Sequence, residues 1–110
     1  MASLTPKNLY LGNSTAGNVY TTANVVTNYS IIKNINICNT DSAANATANI
    51  HILVNGAAPS SNNKIISNIP VVKSDVLYYN TAIVVPANSN IYVSSSNSLV
   101  TFAISGVEYA

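Results

Sequence analysis

Residues 46–54 read Ala46-Thr47-Ala48-Asn49-Ile50-His51-Ile52-Leu53-Val54, and this stretch decides the fold. Ala48, Ile50, Ile52 and Val54 alternate with Asn49 and His51, a period of two that places the first set inward on a half-buried strand. The run before it, Tyr29–Asn39, is rich in isoleucine. There Ile31, Ile35 and Ile37 are expected on one face, with Ile32, Asn34, Asn36 and Cys38 on the other. Lys33 falls on the apolar face, which predicts a bulge or a strand end at that residue.

The same punctuation continues outward in both directions. Asn55-Gly56 opens a turn, and the loop runs on through Pro59 and Asn63. Short strand pieces are expected at 64–67 and 70–72, with a kink at Pro70. Further strands follow at 75–79 and 81–85, and then a turn through Pro86 and Asn88. Strands at 91–94 and 99–109 complete the list, with Val100, Phe102 and Ile104 inward. Gly106 predicts a bulge or a close backbone approach. An opening strand is expected at 18–23. No segment has a helical period, and Asn, Ser and Thr, which compete with helix hydrogen bonds, occur throughout. The expected fold is all-β: a single antiparallel β-sandwich, Greek-key or jelly-roll-like, of about seven or eight strands.

Two units are expected. Residues 1–17 read as an extended N-terminal arm, because Pro6, Gly12 and Gly17 interrupt any regular element, and 18–110 as the β-sandwich domain. Leu4, Leu9, Tyr10 and Leu11 are too many apolar groups for a solvating tail. They are the candidate interface residues of the arm, which would lie on a neighbour and be removable without loss of the domain. Tyr79 joins them, since adjacent Tyr78 and Tyr79 must point to opposite faces of a strand.

The composition narrows the function. Charged residues are 6% of the 110, and the net charge is +1. A surface of neutral amides and hydroxyls can be covered by another protein without burying charge. Four scattered lysines and no arginine do not form the cation cluster that phosphate binding needs, so nucleic acid is not an expected partner. The N-terminal residues lack a continuous apolar stretch, so neither a signal peptide nor a membrane span is expected. Cys38, the single cysteine, reads as a small buried hydrophobe. His51 is the single histidine and is expected to be an exposed strand residue. With no partner in a recognisable motif it makes no catalytic site. One Cys and one His do not close a zinc site, and the isolated glycines form no phosphate cradle. No catalytic residue, metal ligand or cofactor is expected.

Several stretches resemble small virion proteins of tailed bacteriophages. These are Val19-Tyr20-Thr21-Thr22, the "KNINICNT" run Lys33-Asn34-Ile35-Asn36-Ile37-Cys38-Asn39-Thr40, and the closing Ile104-Ser105-Gly106-Val107-Glu108. The likeness runs from about Asn18 to Tyr109. The chain departs from it at Asn24-Val25-Val26-Thr27, where a proline-containing turn is usual. The resemblance implies a β-sandwich that decorates a capsid or forms part of a tail or fibre. It implies assembly with itself and with other virion proteins, and manufacture in a bacterial cytoplasm. A receptor- or carbohydrate-binding fibre domain is the alternative, and seven tyrosines are compatible with it.

Overall fold

Strand β3, Tyr29–Asn39, changes the face it buries halfway along. Ser30 and Ile32 are buried before Lys33, and Ile35, Ile37 and Asn39 after it. The register shifts at Lys33 against both neighbouring strands, so the bulge expected there is present. Its effect is to turn Ile32 inward in place of Ile31. The computed structural model describes residues 3–23, 25 and 27–110; Met1, Ala2, Asn24 and Val26 lie outside the described residues, and with them half of the 24–27 departure.

Among the described residues eight strands run in chain order: β1 Leu4–Asn13, β2 Ala16–Thr21, β3 Tyr29–Asn39, β4 Ala46–Leu53, β5 Lys64–Val71, β6 Val76–Val85, β7 Asn90–Ser95 and β8 Val100–Tyr109. One sheet has the order β1-β8-β3-β6 and the other β2-β7-β4-β5, with every neighbouring pair antiparallel. Only β4 and β5 are consecutive strands within one sheet; every other connection crosses between sheets. Eight strands so wound make a jelly-roll sandwich. A single-turn 3-10 helix at Val54–Gly56 follows β4, with Asn55 at φ 53° and Gly56 at φ 74°. The expected Asn-Gly turn is therefore present, and Val54 leaves the core at it.

The core lies between the sheets. Phe102, Ile104, Ile35 and Ile37 meet Ile50, Ile91, Val93 and Val71 there. At one end Asn39 is fully buried and fully used. Its amide donates to the carbonyls of Ala44 (2.9 Å) and Val71 (3.1 Å), and its Oδ1 accepts from the Asp41 amide at 3.0 Å. A buried carboxamide must be satisfied in this way to be tolerated. The bonds fix the turn after β3 against the end of β5.

Several expectations need correction. The described residues of the expected 1–17 arm are strands: residues 4–13 are β1, paired with β8, and residue 16 opens β2. A register shift at Leu9 turns that side chain inward, to 6% exposure, so one bulge accommodates what Pro6 and Gly12 seemed to forbid. Deleting 2–12 would strip the core of Leu9 and bare the edge of β8. The pieces at 64–67 and 70–72 are one strand whose kink is at Asn68, φ 47°, not at Pro70. The Asn49 side chain accepts the Asn68 amide at 2.7 Å and holds that kink. The pieces at 75–79 and 81–85 are likewise one strand. Thr81 donates its hydroxyl to the Ile32 carbonyl at 2.7 Å across the bulge, which carries the strand through. Cys38 is half-buried on the outer side of β3 rather than in the core.

Gly106 is the close approach expected of it. A Cβ there would lie 1.9 Å from the Ile31 carbonyl oxygen and 3.2 Å from the Ile32 Cα. Both are backbone atoms and cannot swing away. Gly106→Ala is therefore expected to cost at least about 2 kcal/mol of stability, as overpacking against a fixed wall does. Urea unfolding followed by circular dichroism measures it, and an unchanged midpoint would show that the strands separate freely at this point.

Candidate functional site

Cross-strand register places side chains in rows across the β1-β8-β3-β6 sheet, because residues directly opposite share a face. One outward row is Leu11, Ala103, Asn36 and Tyr78; the next holds Pro6, Val107, Ile31 and Val84. Between them run Asn8, Ser105, Asn34 and Asn80, in which the Asn34 amide donates to Asn80 Oδ1 at 2.9 Å. Towards one end Leu4 opposes Tyr109, and the Tyr109 ring stacks on Tyr29 with centroids 5.0 Å apart. These three rows contain no charged residue, and the charge that stands among them is Lys33, unpaired in register and exposed at the bulge of β3. Leu11 and Tyr78 are each 65% exposed, and Leu4, Val76 and Val84 are exposed to more than half. The usual antiparallel sheet alternates apolar inside with polar outside. The apolar side chains here form two patches separated by the Asn8, Ser105, Asn34 and Asn80 row, more apolar surface than such a face ordinarily shows.

The structure divides the sequence candidates. Leu4 and Leu11 reach this face. Leu9 is buried in the core. Tyr10 turns inward, packs on the core and donates its hydroxyl to the Asn13 carbonyl at 3.1 Å. Tyr79 also packs on the core, and Tyr78 is the exposed member of the pair. Both faces of β6 are apolar, so hydrophobicity alone did not say which tyrosine points out. Val76 and Val84, on the same strand, were missed for the same reason.

The titratable groups are placed elsewhere. His51 faces away from Ile50 and Ile52 as expected, yet it is only 5% exposed. The loop over residues 57–63 covers it: Nδ1 lies 2.7 Å from Asn63 Oδ1, and Tyr92 meets the ring edge-on at 5.6 Å. Asn63 in turn accepts the Ser60 amide and donates to the Ala58 carbonyl. His51 thus anchors a loop, and the group it faces is an amide rather than an acid. No set of three or more metal-ligating side chains gathers among the described residues. Nor, among them, does any helix have the length and apolarity to cross a membrane.

One cluster escaped the sequence reading. Tyr20 on β2 reaches across the gap between the sheets. Its hydroxyl donates to Glu108 Oε2 and lies 2.6 Å from Ser30 Oγ, while Lys7 Nζ binds Glu108 Oε1 at 3.1 Å. The Tyr20 hydroxyl and Lys7 hold the Glu108 carboxyl below its ordinary value. Burial, and then the neighbouring Glu108, push the Tyr20 phenol up. The four groups come from four strands with no sequence spacing to connect them. They close one mouth of the sandwich and leave no free base beside a nucleophile.

No protein-family model matches the chain, and no curated protein matches it. Among solved structures it is similar to a chain of the T13 infectious bursal disease virus particle, with a TM-score of 0.56 and 10% identity over 98% of this chain and 30% of that one. It is similar also to a chain of the infectious bursal disease virus Gx strain, with a TM-score of 0.54 and 12% identity over 98% of this chain and 31% of the other. The chain therefore spans under a third of the length of these neighbours. What is shared at such identities is the fold, a jelly roll found in chains of a virus.

The Tyr20 cluster makes stability depend on acid. Glu108 ionises more readily folded than unfolded, so its contribution is complete above its ordinary value of 4.5 and is lost as pH falls through the lower folded value. Thermal melts between pH 6 and pH 3 should show the midpoint declining below about pH 4.5, with a shallower decline in Glu108→Gln. Tyr20→Phe should cost about 1–2 kcal/mol at neutral pH, for hydrogen bonds lost at a half-buried site. Identical acid profiles for Glu108→Gln and the parent would mean that the carboxylate is not held.

Proposed function

We propose that this chain is a structural component of a bacteriophage virion, a capsid decoration protein or a tail or fibre module. It acts by protein–protein assembly with copies of itself and with other virion proteins. It needs no cofactor and carries out no catalysis, and it is made in the host cytoplasm. The observation that carries this reading is the jelly-roll strand order running through the whole chain, the architecture also present in the virus-particle chains. Viral capsids are among the recurrent uses of that architecture. The outer face of the β1-β8-β3-β6 sheet, where Leu4, Leu11, Val76, Tyr78 and Val84 are exposed and Lys33 is the one lysine of β3, supports it from a second direction, since a stable protein interface concentrates apolar and aromatic groups.

The alternative, a receptor- or carbohydrate-binding fibre domain, calls for a concave site where aromatic and amide groups converge. The tyrosines are distributed otherwise: Tyr10, Tyr20 and Tyr79 turn inward, Tyr92 meets His51, and Tyr29 stacks on Tyr109. Among the described residues no pocket gathers them. That arrangement favours flat protein–protein contact over sugar capture.

Immunogold electron microscopy of purified virus particles, with antibody raised against this chain, tests the assignment. Label at regular positions on intact or gently disrupted particles is the expected result. Particles that carry none of the chain, by labelling and by mass spectrometry of their proteins, would overturn it.

A further inference from the structure

A sandwich of two open sheets has four edge strands, and exposed edges are normally blunted against unwanted pairing. Three edges here are blunted. β1 carries Pro6 and Lys7, the latter tied to Glu108. β5 carries Lys64 and Pro70 and kinks at Asn68. β2 is six residues long with a register shift at Asn18/Tyr20. β6 has a register shift opposite Lys33 as well, but differs from the other three in charge, proline content and regularity. It has ten residues, Val76 to Val85, with no charge and no proline, and its burial alternates regularly from end to end. Its one paired neighbour among the described residues is β3. It also carries three of the most exposed apolar side chains of the outer face, Val76, Tyr78 and Val84.

We propose that β6 is the contact between two copies of this chain, paired antiparallel to itself across a two-fold axis at Asn80. The proposal rests on the assembly reading above and names the surface used for it. Self-pairing about Asn80 sets Val76 against Val84 of the second copy and Tyr78 against Ala82, all outward. On the inner side it sets Leu77 against Ile83 and Tyr79 against Thr81. Each residue meets one of the same face, so the two copies extend a single continuous sheet. No charge meets its like, because the strand has none. A two-fold contact must be self-complementary in this manner. The strip buried is about 33 Å long, from ten residues at strand rise, and about 10 Å deep, the thickness of one sheet layer. That is on the order of 330 Å² per partner, the size of a weak, reversible contact rather than of a standard specific interface of roughly 800 Å², and its main-chain ladder supplies the specificity.

The test has two arms on the whole chain. In sedimentation velocity the parent protein should form a reversible dimer, and Tyr78→Lys with Val84→Lys should weaken it at least about tenfold by placing cations along the edge while the β spectrum is kept. In a Cys38→Ser background, oxidation of Asn80→Cys should yield a covalent dimer, since residues facing each other across a strand pair lie within disulfide reach. Ser105→Cys, on the same face but two strands inward, should not. A parent protein that stays monomeric at high concentration overturns the pairing. If that monomer is still found on particles, the virion assignment stands without it. An oligomer that ignores the lysine pair and fails to cross-link through position 80 also overturns the pairing, and assigns assembly to another surface.

Discussion

The close passage of β8 over β3 at Gly106 governs the architecture. These are the two inner strands of the β1-β8-β3-β6 sheet, and they share a ladder running from Tyr29↔Tyr109 to Asn39↔Val100. β3 can bury Ser30 and Ile32 at one end and Ile35 and Ile37 at the other only by bulging at Lys33. The bulge drives the Ile31 carbonyl toward β8, where only a residue without Cβ leaves room. On the far side of Gly106, Glu108 continues inward and meets Tyr20 from the opposite sheet. The edge strands β1 and β6 then take their register from β8 and β3. One steric allowance thus sets which side chains fill the core and which populate the outer face.

Much of this was legible in the sequence because a period of two is hard to disguise. The core positions of β4, β7 and β8 follow from alternation at Ala48, Ile50, Ile91, Val93, Phe102 and Ile104. The irregularities at Lys33 and Gly106 follow from one charge and one glycine out of pattern. Alternation failed where a bulge changes parity without leaving a sign. Nothing in Leu9-Tyr10-Leu11 says that Leu9 and Tyr10 both turn inward, so β1 was read as an arm. It failed again in β6, where Tyr78 and Tyr79 sit among valines and isoleucines on both faces. Long-range partners were not readable at all. Burial of His51 depends on Asn63 in a loop twelve residues on, and the Tyr20, Ser30, Glu108 and Lys7 cluster joins strands far apart in the chain.

The surface follows the same economy as the core. Of the four lysines, Lys7 stands on the β1 edge, Lys64 on the β5 edge, and Lys33 is exposed at the β3 bulge on the outer face of its sheet. The edge strand β6 itself carries no charge. Edge strands are commonly protected by lysines. β6, as long as β1, carries none, and its exposed Tyr78 and Val84 are what the proposed pairing rests on. It joins a fold common in virus shells to one definite place at which assembly would occur.

Hydrogen–deuterium exchange tests that claim most directly, because amide exchange reports strand pairing residue by residue. The protein is compared dilute and at concentrations where it assembles, or free and on the particle. The account predicts that amides within Val76–Val85 slow on assembly, while those of the β5 edge, Lys64–Val71, exchange as before. Exchange in Val76–Val85 that is the same in both states, or slowing confined to the β5 edge, would contradict it.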